Sequence, residues 1–405
     1  MLAPATHSKY VKFSPLVHRI GGEGTAAWLT HYEAVAARER GDNVIILSVG
    51  DPDLETPAPV IERAIAQLRS GDTHYVTAAG RLALREAIAR AHRARCGQPV
   101  DAQNVVYCAG AQNALFVASL CLAGSGDEFI TFEPLYPTYP ATIEVSGARL
   151  VRVPTSATWR PDLAALAAAV TSRTRAILWA SPNNPSGMVL NEQELEFIAQ
   201  LARRHDLWLV ADEVYAGLAP GGRVPSLAAQ LPEHVVTLGS LSKSHAMTGW
   251  RAGWLVGPRE LAVHAEHLAM SMLFGLPGFI QEAALTALAL APEAEARIRA
   301  YCATRQQRFA QGIRTIAGLR AIVPEAGMFM LIDVTATGLS GGEFMRGLYA
   351  AQRVSVMDGA AFGQGAAGCV RVCFATDEAT LDEACARLRR FCEQDLPAAS
   401  RRSAG

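Results

Sequence analysis

Lys243 lies in the segment Ser240-Leu241-Ser242-Lys243-Ser244-His245-Ala246-Met247-Thr248-Gly249-Trp250-Arg251. An apolar run, Val235–Ser240, leads straight into it, so the lysine stands where a strand would end in a turn of small polar residues. An amine held there can attack a carbonyl and form a Schiff base. Arg251, eight positions on, can return its planar fork to an oxyanion such as a phosphate. Val210-Ala211-Asp212-Glu213-Val214-Tyr215 places two carboxylates after a second apolar run and a tyrosine three positions beyond Asp212. Ser181-Pro182-Asn183-Asn184-Pro185-Ser186-Gly187 offers the Asn184 amide after a third. At Gly110-Ala111-Gln112-Asn113 a strand gives way to a helix, whose free N–H groups suit a phosphate. Tyr136, in Pro134-Leu135-Tyr136-Pro137-Thr138-Tyr139-Pro140, can stack on a ring. Val370-Arg371-Val372 sets an arginine inside an apolar strand, where burial demands an anionic partner.

Taken singly, each piece has an ordinary reading. A lone lysine is usually solvated, Asp212 could equally cap a helix, and 181–187 is a common turn. Tyr136 could simply pack, and Arg371 divides evenly between an internal salt bridge and a bound substrate. Their combination matches what a pyridoxal phosphate site requires. Such a site needs a lysine for the Schiff base and a carboxylate that keeps the pyridine nitrogen protonated and the ring an electron sink. It also needs donors for the phenolic oxygen and the phosphate, and an arginine for the substrate carboxylate.

The elements that must position these groups follow from the hydrophobic pattern. Short apolar runs at Asn104–Gly110, Glu128–Pro134, Arg175–Ser181, Leu207–Glu213 and Val235–Ser240 alternate with helical stretches such as Ala111–Leu122 and Glu192–His205. Near-continuous apolar strands separated by helices predict a mostly parallel α/β sheet covered on both faces, with ligands at the carboxyl ends of its strands. From about Pro292 the pattern changes. A long Arg- and Ala-rich helix is expected over Glu293–Ala317, then a strand at Met328–Val334 and a helix at Gly342–Gln352. Short strands around Val354 and Arg371 and a final helix from Glu378 complete it. The chain thus divides into a large domain, 49–291, and a smaller α/β domain formed by 1–48 and 292–405, with a frayed tail from Pro397.

The chain has 405 residues, half of them apolar, and a formal net charge of −1, which gives no electrostatic reason to expect nucleic acid or a membrane surface as partner. Its eight cysteines form no CxxC pair and no zinc-ligand spacing with histidine, so they read as buried small residues of a reducing compartment, with no metal site. Met1–Ile20 lacks an apolar secretory core, and Leu268–Ile280 is too short to span a bilayer, so a cytoplasmic protein is expected.

In this order, the motifs resemble the class I and II aminotransferases of fold type I. The signatures are Gly50-Asp51-Pro52-Asp53 with Thr56-Pro57, Tyr75 with Gly80 and Leu84-Arg85, and the 181–187 and 212–215 segments. They continue with 240–254, Gly327-Met328-Phe329 and 370–375. The resemblance implies Lys243 as Schiff-base lysine and proton shuttle, and Asp212 at the pyridine nitrogen. It implies Tyr215 and Asn184 at the phenolic oxygen, Tyr136 on the ring, and Ala111, Gln112, Ser240 and Arg251 at the phosphate. Arg371 would hold the substrate α-carboxylate with help from the Gly50 backbone. Tyr75 would reach the phosphate of a second subunit, implying a homodimer with shared sites. Asp358 departs from the pattern, since relatives often carry proline before this glycine; the change should touch backbone stiffness only.

Further segments, Arg19–Trp28, 47–53, 73–75, 108–115 and 272–281, resemble the arginine–pyruvate transaminases of bacterial arginine catabolism. That narrower resemblance implies L-arginine as donor and pyruvate as acceptor, with Glu23 a candidate partner for the guanidinium. Phe274-Gly275-Leu276 carries no arginine of the kind that selects dicarboxylic substrates. The alternatives are a different donor, aspartate or aromatic, or a C–S β-lyase on the same fold. A non-catalytic sensor of this fold is disfavoured, because no helix-turn-helix segment precedes Ile46.

Overall fold

The computed structural model of the chain describes residues 12–20 and 27–396; Glu23 and the expected tail from Pro397 lie outside them. In chain order its strands are β1 (Ile45–Ile46), β2 (Val105–Cys108), β3 (Glu128–Phe132), β4 (Arg149–Val153), β5 (Thr174–Ala180) and β6 (Trp208–Asp212). Then follow β7 (Val235–Ser240), β8 (Gly253–Val256), β9 (Arg320–Ile322), β10 (Phe329–Asp333), β11 (Val354–Ser355), β12 (Met357–Asp358) and β13 (Cys369–Cys373).

Seven strands form one sheet in the order β2-β8-β7-β6-β5-β3-β4. The pairings among β3 to β7 are parallel, while β8 runs antiparallel between β2 and β7. Side chains alternate between two cores. Val210, Ala176 and Leu178 face one; Leu209, Ala211, Ile177 and Trp179 face the other. Burial on both faces is why these strands read as unbroken apolar runs. A wholly buried leucine such as Leu178 contributes roughly 1.5–3 kcal/mol relative to exposure.

Helices cover the sheet. Ala111–Leu122 and Glu192–His205 have the expected limits. The second begins at a reciprocal cap in which Asn191 accepts from the Glu194 backbone and Glu194 from that of Asn191. The first begins at Gly110 with no side-chain cap, leaving its first N–H groups free.

A separate core gathers around a four-stranded antiparallel sheet, β12-β13-β10-β9, with the helices Ala291–Arg314, Gly341–Gln352 and Glu378–Arg390. Ile45 and Leu47 belong to this core, and β1 pairs in parallel with β11, whereas the helix Pro15–Ile20 lies against the helix Tyr139–Glu144 beside the large sheet. Two strands of the large sheet, β4 and β8, were not among the expected runs; β8 has four residues, and in β4 the arginines Arg149 and Arg152 break the apolar run. Asp358 has φ of −62°, the value a proline would impose, and its Oδ1 accepts the Ala360 N–H at 3.0 Å. The turn is therefore held by a side-chain hydrogen bond.

Candidate active site

Five sequence segments meet at one edge of the large sheet. β5, β6 and β7 end at Ala180, Asp212 and Ser240, with Ala180 paired to Asp212 and Asp212 to Leu238. The helix from Ala111 begins beside them, and β13 brings Arg371 across from the other core. A single cavity of about 180 Å³ results. Gly50, Ala111, Gln112, Tyr136, Asn184 and Asp212 line it, as do Tyr215, Ser240, Lys243, Arg251 and Arg371. Tyr75 does not; it is 83% exposed and meets Phe274 edge-on at 4.7 Å.

Lys243 Nζ donates to the Gly50 carbonyl. Burial lowers its pKa to about 8; Arg371 and Arg251 act in the same sense, against Cys373 and Asp51. Its loop is tied to the Gly50–Thr56 segment: Thr248 Oγ1 donates to Asp51 at 2.6 Å, and Thr56 Oγ1 to the Ala246 carbonyl at 2.7 Å.

Asp212 is half-buried, and its desolvation raises its pKa; hydrogen bonds from the Tyr139 hydroxyl at 2.6 Å and the Val214 N–H at 3.1 Å favour its charged form. Tyr139 went unassigned in the sequence. Its bond spans 73 positions, and only the three-residue step from Tyr136 to Tyr139 hinted that the two rings share a wall, 5.8 Å apart. Burial also holds the Tyr215 hydroxyl well above its usual pKa, so it stays a neutral donor.

Gly110 has φ of +84°, and a Cβ there would come within 2.5 Å of Arg251 Nη2. A Cβ on Gly253 would strike the Gly110 backbone at about the same distance. The bare backbone, the uncapped helix start, Ser240 and Arg251 thus form a cradle with room for an anion. Among the described residues Arg251 donates only to the Thr248 and Ala109 carbonyls. The Gln112 side chain is engaged by Thr138 and Thr142, which leaves its backbone N–H for this cradle.

Arg371 is 1% exposed and, among the described residues, has no carboxylate partner. Its Nη1 donates to Asn184 Oδ1 at 3.1 Å and its Nη2 to the Ser48 carbonyl at 2.5 Å, while Nε is buried without a partner. Phe329 and Phe362 flank the guanidinium at 4.2 and 4.9 Å. Among the described residues the internal salt bridge that the sequence allowed is not formed. A buried cation with an unused donor beside an open cavity is a site for a carboxylate. Because Asn184 gives its oxygen to Arg371, its NH₂ remains to donate elsewhere.

The donor set fits pyridoxal phosphate: an amine of lowered pKa, a half-buried carboxylate, hydroxyl and amide donors, and an anion cradle at a helix start. Among the described residues no cluster suits a metal ion, all eight cysteines are free thiols, and no helix is long and apolar enough to cross a membrane.

Comparison with known proteins agrees with this chemistry. Residues 42–388 match the family model described as aminotransferase class I and II. The chain is 46% identical over 391 residues to the arginine–pyruvate transaminase AruH of Pseudomonas aeruginosa, spanning 95% of this chain and 99% of that one. It is 32% identical over 363 residues to the aspartate/prephenate aminotransferase of Thermus thermophilus, spanning 88% and 93%. Among solved structures, Thermus thermophilus aspartate aminotransferase with maleate superposes with a TM-score of 0.88 at 32% identity, covering 94% of this chain and 99% of that one.

Proposed function

The chain belongs to the class I and II aminotransferases, is therefore a pyridoxal-phosphate-dependent transaminase of fold type I, and we propose that it moves the α-amino group of L-arginine to pyruvate. The reaction class rests above all on one observation: Arg371, buried without a carboxylate, faces the same cavity as an amine whose pKa is lowered. The donor and acceptor rest on the substrates named for the relative that is 46% identical.

Pyridoxal phosphate bound here supplies a carbonyl for the amine and a ring that accepts the electrons of the broken Cα–H bond. In this reading Lys243 would hold the cofactor, and its amine, once free, would take the proton from the substrate Cα as a general base, becoming an ammonium. Asp212, whose charged form the Tyr139 hydroxyl and the Val214 N–H favour, would pair with the ring nitrogen. Tyr215 and the Asn184 NH₂ donate to the phenolic oxygen, and Tyr136 packs on the ring. The backbones of Ala111 and Gln112, with Ser240 and Arg251, hold the phosphate. Arg371 clamps the α-carboxylate of both substrates, with the Gly50 backbone alongside. Glu23 is the proposed partner of the donor's guanidinium.

The proposal extends to a homodimer in which Tyr75 reaches the partner's phosphate. The exposure of Tyr75 and Phe274, and of Ile61, Ile65 and Leu68 on the helix Ala58–Arg69, supports it. We place the enzyme in the cytoplasm, in keeping with its free cysteines. We divide it into a large domain, 49–291, and a small one, 1–48 with 292–405; the separate core around β9, β10, β12 and β13 supports this.

The test is a panel of amino donors against pyruvate and 2-oxoglutarate. Arginine with pyruvate should give the highest kcat/KM. Aspartate or aromatic donors well ahead of arginine would overturn the donor while leaving the family intact. Pyruvate and ammonia released from cystathionine without an acceptor would favour the lyase.

A further inference from the structure

Trp28 lines the cavity beside the residues assigned above. Once the groups given to the cofactor and to the α-carboxylate are set aside, the remaining wall is largely apolar: Trp28, Val49, Leu115, Val214 and Phe329. Among the described lining residues the only carboxylate is Asp212, which Tyr139 already engages. A guanidinium entering this part of the cavity therefore meets an indole where a carboxylate would be looked for. Arginine side chains stack on aromatic faces, and tryptophan gives the strongest such attraction.

The indole is also held in place. It meets the His31 ring edge-on, centroids 5.6 Å apart at 77°. His31 Nδ1 shares a hydrogen bond with Ser48 Oγ at 2.9 Å, and the Ser48 carbonyl accepts from Arg371 Nη2. A chain of contacts thus fixes Trp28 relative to the group that holds the α-carboxylate. Burial, with the nearby Arg371 and Arg38, lowers the pKa of His31 and so favours its neutral ring.

We infer that Trp28 is a specificity-determining residue, whose indole face receives the guanidinium of the amino donor; the inference rests on the arginine reading above. The experiment compares L-arginine, L-citrulline (similar in length but uncharged) and L-alanine as donors, with 2-oxobutanoate in place of pyruvate as acceptor so that every pair gives a net reaction, for the wild-type, Trp28→Phe and Trp28→Ala holoenzymes. Trp28→Ala should lower kcat/KM for arginine roughly ten-fold. Alanine should lose much less than arginine, the preference for arginine over citrulline should shrink, and Trp28→Phe should fall between. Losses equal for arginine and alanine in both variants would make Trp28 a general cover and overturn the inference, as would an unchanged arginine rate. A wild-type enzyme inert to arginine but active on citrulline would instead remove the donor reading itself, before any variant is compared.

Discussion

Two populations of arginine divide this molecule. Outside the cavity, Arg81 pairs with Asp72 and Glu282, Arg160 with Glu194 and Glu325, and Arg308 with Asp382 and Glu378. Inside it, Arg251 and Arg371 donate to carbonyls, an amide oxygen and a thioether, and neither has a carboxylate among the described residues. Arg371 is the more telling, because its fork is almost wholly desolvated. A buried cation that lacks an anion is costly unless something else offsets it. The faces of Phe329 and Phe362 do so in part. The outer arginines tie elements of the fold together; the inner ones keep donors free of any carboxylate among the described residues.

Lys243 belongs with the inner group, since it too has no ion-pair partner among the described residues and donates only to a backbone carbonyl. Replacing it should have the largest effect. Lys243→Ala should abolish transamination and remove the absorbance of the covalently held cofactor, and turnover at the normal rate would refute the assignment. The lowered pKa gives a second readout. Only the unprotonated amine attacks a carbonyl, and it becomes the major form above about pH 8. Recapture of pyridoxal phosphate by cofactor-free enzyme should therefore accelerate as pH rises through 8 and then level off. A profile that keeps climbing towards the ordinary lysine value would mean that the amine is solvated.

Next in size comes Arg371→Lys, which keeps the charge and removes the fork. Losing charge-assisted hydrogen bonds to a carboxylate costs about 1.5–3 kcal/mol, or roughly ten- to a hundred-fold in kcat/KM. Because donor and acceptor share the α-carboxylate, both KM values should rise together. A rise for only one would place Arg371 on a side chain.

Much of the fold was readable in the sequence because local chemistry marked it. Asn191 and Glu194 cap one helix, Gly110 opens another, and the strands β5, β6 and β7 are apolar on both faces. β8 was not readable, as four residues ending a glycine-rich turn carry no periodicity. The cofactor groups sit at strand ends, where order along the chain maps onto position in space. The Tyr139–Asp212 bond and the place of Trp28 depend on how distant segments pack, which no local pattern encodes. Nor could the sequence say that Arg371 lacks a carboxylate; its neighbours come from positions 48, 184, 329 and 357.

The smallest effect belongs to the outer population, and it decides whether the contrast is real. Arg308 has better ion-pair geometry than any cavity cation. Its Nε and Nη2 grip both Asp382 oxygens at 2.8 and 2.5 Å, and Nη1 reaches Glu378 at 3.1 Å. All three side chains are nonetheless largely open to water, where Coulomb attraction is weak, salt screens it, and holding long side chains still costs entropy. Arg308→Ala should leave both KM values and kcat within about two-fold of wild type. Its thermal midpoint should stay close to wild type and move closer still as salt is raised. Were Arg308→Ala to raise both KM values as Arg371→Lys does, loss of any arginine would suffice, and the missing carboxylate at Arg371 would no longer identify a substrate site.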